Sequence, residues 1–239
     1  MADRVVTNLV AVNTIADKTL QITLKRPNTF DFQAGQNVTM KLDALTYEDK
    51  RGPQRTFTIA SAPHEENLTF TTRKTGSGFK RTLEEGTLER IELFGPRGEM
   101  VRNPDKTAVM IAGGIGITPF RSMILDAVHK KNETPVLLLY ANPTLERCVY
   151  HDLFTGLDQD DSIHFNYVPT LTNLERIPAD WNGEQGRVDS DFIKHHVPEY
   201  NETIFYLCGP PQMVNDLESE LKKHSVDSEQ IRSESFWGY

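Results

Sequence analysis

The hydrophobic pattern of this chain changes its period once, close to Pro104. Before that point, short stretches of alternating apolar and polar residues are separated by Pro, Gly, Asn and Asp, a spacing typical of a small antiparallel barrel or sandwich, of which we predict the β-barrel. After it, continuous apolar runs of strand length alternate with amphipathic helical segments, which predicts a doubly wound parallel sheet. We therefore predict two domains, residues 1–103 and 104–239, with a ligand cleft where they meet.

The predicted elements follow from these two patterns. The barrel strands are predicted at Val5–Val12, Thr19–Leu24, Asn37–Leu42, Thr56–Ser61, Leu68–Arg73 and Ile91–Phe94. The parallel strands are predicted at Ala108–Ala112, Val136–Tyr140, Ile163–Val168 and Ile204–Cys208. The helices between them are predicted at Pro119–Lys131, Glu146–Leu157, Ser190–His196 and Pro211–His224.

The composition argues against several classes of partner. A formal net charge of -8 disfavours nucleic-acid binding, which relies on clustered Lys and Arg. The two cysteines, Cys148 and Cys208, are too few for a four-cysteine zinc or iron-sulfur site, so we predict no metal in this chain. No apolar run approaches the roughly 20 residues that span a bilayer, and no leader is evident, so we expect a cytoplasmic protein without membrane insertion. A monomer is expected.

The segment Arg55-Thr56-Phe57-Thr58 opens one of the predicted barrel strands. Alternation places Thr56 and Thr58 on one face of the strand, and Arg55 and Phe57 on the other. This set suits a flavin, which needs a cation for its phosphate, an apolar plane against its ring and a hydrogen-bonding group near its reactive nitrogen. A plain barrel strand with an exposed arginine is the alternative interpretation.

A glycine-rich turn follows Arg73 and leads into a short predicted helix. Its exposed backbone amides and neighbouring cations could hold a phosphate or pyrophosphate. An ordinary hairpin loop is equally compatible with Gly-Ser-Gly. The candidate phosphate-binding residues are Arg73, Gly76, Ser77, Gly78, Phe79 and Lys80.

A second glycine-rich turn, Gly113–Gly116, interrupts the chain directly after a predicted buried strand. Glycines there let a dinucleotide pyrophosphate approach the backbone. Thr118 is predicted to cap the next helix, with Pro119 as its first residue. The third glycine of the usual dinucleotide fingerprint is absent and no acidic residue ends the following strand, which disfavours a conventional dehydrogenase.

Four motifs, in this order, resemble those of the ferredoxin-NADP reductase superfamily, and the resemblance covers nearly the whole chain. They are Arg55–Thr58, Gly113–Pro119, Cys208–Pro211 and Glu234–Phe236. The resemblance implies a flavoprotein oxidoreductase that takes hydride from NAD(P)H onto FAD. It also implies that electrons leave to a separate carrier such as a ferredoxin, a flavodoxin or a haem protein. FAD rather than FMN follows from the resemblance only.

The resemblance further implies roles for residues on the flavin side. Arg55 would contact the flavin phosphate, Phe57 would stack on the isoalloxazine, and Thr58 would lie near the reactive nitrogen. The turn at 76–80 occupies the place of the family's flavin-phosphate turn, with Lys80 where a serine is common.

On the nicotinamide side, the resemblance implies that Gly114, Gly116, Thr118 and Pro119 bind the dinucleotide pyrophosphate. Cys208, followed by Gly209 and Pro210, would lie beside the carbon that gives up hydride. Glu234 matches the family's acidic residue near the C-terminus. Phe236 would cover the flavin in a tail that returns to it, with Trp237 just beyond. A buried structural cysteine and a pair of aromatic anchors are the alternative interpretations.

Cofactor preference and the exact type of reductase are less constrained. NADPH-specific members carry Ser and Arg after the second parallel strand, whereas this chain has Ala141-Asn142-Pro143 there, so we expect a preference for NADH. Arg147 or Arg176 could still reach a 2′-phosphate, which leaves NADPH possible. A reductase of free flavin and a flavin-bearing subunit of a larger electron-transfer complex are the alternative functions.

Overall fold

The computed structural model describes residues 4–197, 200 and 202–237. Contacts within the chain divide it into two units. The first contains residues 4–101 and 118–126, and the second contains residues 102–117 and 127–237. Among the described residues, no helix combines the length and the apolar character that a membrane crossing requires.

The first unit is built on an antiparallel six-stranded sheet, as predicted. Its strands are β1 Arg4–Ala16, β2 Thr19–Lys25, β3 Asn37–Leu42, β4 Gln54–Thr58, β5 Asn67–Arg73 and β6 Arg90–Arg97, with helix α1 Gly78–Glu84 between β5 and β6. The strand order is β4-β3-β6-β1-β2-β5. Alternate residues of β2 and β3 are buried, so each strand contributes one face to an apolar core that includes Ile22, Val38 and Phe70.

The second unit is a parallel sheet with helices, which confirms the predicted fold class. Its strands are β7 Thr107–Gly113, β8 Val136–Asn142, β9 Phe165–Leu171, β10 Glu184–Gln185, β11 Thr203–Gly209 and β12 Ile231–Ser235. Its helices are α2 Ile117–His129, of which residues 118–126 belong to the first unit, α3 His151–Asp158, α4 Ser190–His196 and α5 Pro211–Lys223. The order is β10-β9-β8-β7-β11-β12, and every residue of β11 is buried.

Two local predictions are wrong. The helix predicted at Glu146–Leu157 is instead a short 3-10 turn, Leu145–Arg147, followed by α3, because Tyr150 adopts a left-handed backbone conformation (φ 62°) that breaks the helix. Thr118 does not cap α2: the 3-10 turn Gly114–Gly116 runs directly into the helix, which begins at Ile117. Pro119 therefore lies inside the first turn. Backbone N–H groups there have no partner within the helix, so a proline costs no hydrogen bond.

Candidate functional site

Strand β4 positions the Arg55–Thr58 motif by pairing with β3. Arg55 pairs with Met40 and Phe57 with Val38 in the antiparallel ladder. Arg55 and Phe57 are buried, whereas Thr56 is exposed. The interpretation of Arg55 as a merely exposed strand residue is therefore wrong. The Phe57 ring packs in the core, with its centroid 5.9 Å from that of Phe79 and 6.4 Å from that of Phe70.

Thr58 carries a buried hydroxyl group in need of a hydrogen bond. The residue is 5% exposed, and its Oγ1 has no hydrogen-bond partner among the described residues. The chain changes partner soon afterwards: Ile59 still donates to the Gln36 carbonyl beside β3, whereas Ala60 donates to the Thr69 carbonyl of β5. Buried polar atoms are rarely left unpaired in folded proteins, so an unpaired one indicates a place for a ligand atom.

Arg55 lies in a network that the sequence did not predict. Its Nη2 atom donates to Oδ1 of Asp49 at 2.5 Å, and both side chains are less than a tenth exposed. Its guanidinium also lies over the Phe79 ring, 5.1 Å from the centroid. Asp49 additionally accepts backbone N–H bonds from Phe79 and Arg51, both at 2.9 Å. The amide of Phe79, followed by the amide of Arg51 and the Arg55 guanidinium, lowers the pKa of Asp49 to about 2.

The glycine-rich turn is a loop that enters α1, so the short helix predicted there is confirmed. Gly76 has φ 72°, a conformation that favours glycine, and Ser77 accepts a hydrogen bond from the Lys80 backbone as the N-cap of α1. A Cβ atom at Gly78 would collide with the carbonyl oxygens of Tyr47 and Glu48. Glycine at this position therefore allows the loop between β3 and β4 to lie against the turn.

Lys80 is a partly buried cation at this turn. Its Nζ atom donates to the Arg73 carbonyl at 2.8 Å. Burial, together with the charges of Arg55 and Arg51, lowers the pKa of Lys80 to about 8. The Arg73 guanidinium donates to the Thr19 hydroxyl and to the Asp17 carbonyl in the turn between β1 and β2.

In the second unit, the turn after β7 packs directly on the end of β11. Strands β7 and β11 are parallel neighbours, with Ala112 opposite Cys208. A Cβ at Gly116 would collide with the Cys208 carbonyl, and a Cβ at Gly113 would press on Met213 and Pro210. Two of the motifs found in the sequence therefore meet through backbone contacts that only glycines permit.

Strand β12 brings the last motif to the same edge of the sheet. Glu234 lies opposite Cys208 in the parallel register of β12 with β11, and the Phe236 amide donates to the Gly209 carbonyl at 2.9 Å. Trp237 follows and is 78% exposed. Cys208 itself is fully buried; burial, and then the charge of Glu234, raises the pKa of its thiol well above the usual value. The thiol is therefore neutral at physiological pH.

The ends of β8 and β9 carry the residues considered for cofactor preference. Asn142 ends β8 with both side-chain polar atoms buried and without a hydrogen-bond partner among the described residues. Arg147 and Arg176 each end a 3-10 turn that follows one of these neighbouring strands. Carboxyl ends of parallel strands are where open α/β sheets bind ligands. In the part of the chain that the structure describes, no group of three or more His, Cys, Asp or Glu could hold a metal ion.

Comparison with known families assigns both units. Residues 4–119 match the FAD-binding domain family, and residues 110–219 match the oxidoreductase NAD-binding domain family. The chain therefore carries an FAD-binding domain followed by an oxidoreductase NAD-binding domain, the pair that its motifs predicted by resemblance. The two domain families follow each other in the order that the sequence motifs predicted.

Individual relatives agree with this assignment. The chain is 28% identical over 230 residues to the phenol hydroxylase P5 protein of Acinetobacter pittii, covering 92% of this chain and 61% of that protein. It is 37% identical over 142 residues to NADH-cytochrome b5 reductase 1 of Candida glabrata, covering 58% of this chain and 48% of that protein. The chain thus spans only about half to three fifths of these relatives.

The fold is shared with solved structures of similar size. A ferredoxin NADP+ reductase from Neisseria gonorrhoeae, with bound FAD and NADP, superposes with a TM-score of 0.78. The two are 20% identical, and the match covers 98% of this chain and 99% of that one. At this identity the match shows that the two chains share a fold.

Asp49 is the residue of this site that sequence reasoning missed. It lies in a loop rich in polar residues, six positions before Arg55 and thirty before Phe79. An aspartate followed three residues later by a glycine is typical of an ordinary turn. Sequence reasoning could have found Asp49 from one consideration: a buried arginine requires a carboxylate partner, and Asp49 is nearby in the chain.

Proposed function

We propose that this protein is a flavoprotein oxidoreductase that takes hydride from a nicotinamide dinucleotide onto FAD and passes the electrons to a separate acceptor. The observation that carries the proposal is the packing of the Gly116 turn against Cys208, with Glu234 next to Cys208 in register. This arrangement gathers three motifs of the superfamily at one carboxyl edge of a parallel sheet, where nucleotides bind. The match to the FAD-binding domain family supports the flavin half.

On the flavin side, the residues present fit the cofactor. A bound flavin accepts two electrons as hydride and can release them one at a time. The Thr58 hydroxyl, buried and unpaired among the described residues, would hydrogen-bond to the ring system. Arg55, Lys80 and the backbone of residues 76–79 would hold the phosphates, and Phe57 would provide an apolar surface.

On the nicotinamide side, the glycines would admit the dinucleotide pyrophosphate to the backbone. Cys208 would act as a compact neutral group beside the nicotinamide, since burial keeps its thiol protonated. Glu234 would supply the negative charge next to it, and Phe236, anchored to Gly209, would lie over the flavin until the nicotinamide replaces it. We propose domain bounds of 1–103 for FAD and 104–239 for the nicotinamide dinucleotide; residues 238–239 lie outside the described residues.

We propose that the acceptor is a separate one-electron carrier, a ferredoxin, a flavodoxin or a haem protein, and that the reductase works as a monomer. The relatives support a protein acceptor, because one is named as a reductase of cytochrome b5 and another as a phenol hydroxylase protein. A cytoplasmic location stays a prediction.

Anaerobic mixing with NADH is expected to bleach the flavin absorbance rapidly, and mixing with NADPH at least about ten times more slowly. The reason is that the segment at residues 141–143 offers no arginine to a 2′-phosphate. Stopped-flow absorbance measures both rates in one preparation. Comparable rates would contradict the NADH preference, and the variants Arg147→Ala and Arg176→Ala would then show which arginine supplies the contact. A colourless protein whose absorbance changes with neither nucleotide would contradict the flavin proposal itself.

The affinity for FAD is expected to fall as the pH rises above about 8, by up to tenfold per pH unit. Below that pH Lys80 is charged and attracts phosphate, whereas above it the neutral amine must first take up a proton. Fluorescence titrations between about pH 6 and 10 measure this dependence. Lys80→Met should bind FAD more weakly at neutral pH and lose the dependence. Lys74→Met, in the same turn, is the control and should retain it; a wild-type affinity independent of pH would contradict the assignment.

A further inference from the structure

The loop between β3 and β4 places a carboxylate where the resemblance expects a flavin phosphate. Asp49 accepts hydrogen bonds from the Phe79 amide and from Arg55, which are two of the donors assigned to the phosphate. Its side chain is only 5% exposed. A buried carboxylate held by an arginine and by backbone amides satisfies the same donors that a phosphate oxygen would.

The same loop engages the rest of the Arg55 guanidinium. The Nη1 atom donates to the carbonyls of Arg51, Gly52 and Gln54 at 3.2, 3.0 and 2.6 Å. Both terminal nitrogens of Arg55 therefore have acceptors inside the loop. In this arrangement a flavin phosphate can bind the Arg55 guanidinium only if the Asp49 carboxylate releases it.

The backbone of the loop between β3 and β4 packs closely against the glycine-rich turn. The carbonyl oxygens of Tyr47 and Glu48 lie so close to Gly78 that any side chain at that position would collide with them. The loop thus lies against the glycine-rich turn, and its Asp49 carboxylate accepts a hydrogen bond from the Phe79 amide there. Two cations, Lys80 and Arg51, adjoin this group and would attract any anion that replaced the carboxylate.

We propose that Asp49 is an internal competitor of the flavin phosphate: its carboxylate occupies Arg55 and the Phe79 amide until a phosphate-bearing flavin displaces it. Asp49 then sets the affinity for FAD and FMN, which carry phosphate, without affecting riboflavin, which does not. The inference rests on the proposed function, since it assumes that this turn receives a flavin.

Equilibrium titration of the full-length apoprotein with FAD, FMN and riboflavin tests the proposal. Asp49→Asn and Asp49→Ala are both expected to bind FAD and FMN about tenfold more tightly than the wild type, because the charge-assisted bond that competes with phosphate is weakened or lost. Riboflavin should bind all three proteins equally. Asp49→Asn keeps an acceptor for the Phe79 amide, so the comparison survives if Asp49→Ala folds poorly.

Glu48→Gln is the matched control, because it removes the same charge from an exposed position one residue away. It should leave all three affinities unchanged. Unchanged or weaker binding of FAD and FMN by the Asp49 variants would overturn the inference, and so would equal tightening of riboflavin. A wild type that binds no flavin would contradict the proposed function. In that case, gain of FMN binding by Asp49→Ala would still support competition, and no gain would overturn it.

Discussion

Replacing Gly116 with alanine is expected to slow hydride transfer from NADH about hundredfold. The added Cβ would collide with the carbonyl group of Cys208, and backbone atoms cannot rotate aside as a flexible side chain can. The turn and the end of β11 must therefore separate. Both carry residues assigned to the nicotinamide dinucleotide, and displacements of about 1 Å in such a site cost about this much in rate.

Single-turnover stopped-flow measurements with NADH give the rate directly. The matched control is Gly156→Ala in the middle of α3, where the new methyl group would meet no described atom within 4 Å outside its own helix. That variant should transfer hydride at the wild-type rate. Flavin content should stay unchanged in both, because Thr58 and Lys80 belong to the other unit. A wild-type rate for Gly116→Ala would show that the close approach of the two motifs does not matter.

The parts of the fold that the sequence predicts are those governed by hydrophobic period. Asn37–Leu42 and Ser190–His196 have the predicted bounds, because alternation in the first and the Asp189 cap before the second are local signals. The apolar runs that predict the strands of the parallel sheet are local signals as well. Strands β7 and β11 are buried on both faces and therefore read as continuous apolar runs.

Elements that depend on distant partners could not be predicted in this way. Strand β12 has a single apolar residue, Ile231, and forms because it pairs with β11. The break at Tyr150 comes from a backbone conformation that aromatic residues adopt rarely.

The residues of the candidate site also differ in whether local sequence or distant pairing determines them. The glycine turns and Cys208 are visible as motifs, whereas the register that sets Glu234 beside Cys208 requires the pairing of two strands far apart in sequence. Asp49 is a further case, because its role comes from hydrogen bonds to Arg55 and Phe79 rather than from any pattern around it. Motifs thus locate the cofactor-binding turns, and tertiary pairing decides which charges face them.

Thr58→Val is expected to stabilise the flavin-free protein and to impair the enzyme. The substitution keeps the shape of the side chain and removes a buried hydroxyl that has no partner among the described residues, so the free energy of unfolding should rise by about 1 kcal/mol. If the same hydroxyl hydrogen-bonds to the flavin near the atom that receives hydride, reduction by NADH should slow about hundredfold. Opposite changes in stability and rate are the signature of a polar group retained for a ligand.

Chemical denaturation of the apoprotein and stopped-flow reduction of the reconstituted protein measure the two effects. Thr58→Ser restores the hydroxyl and should recover most of the rate, because the hydrogen bond rather than the methyl group supports the reaction. Thr56→Val, two residues earlier on β4 and exposed, should change neither quantity appreciably. If Thr58→Val lost stability and kept its rate, the hydroxyl would be a structural group with a partner inside the protein, and the flavin would have to be positioned by other residues of this strand.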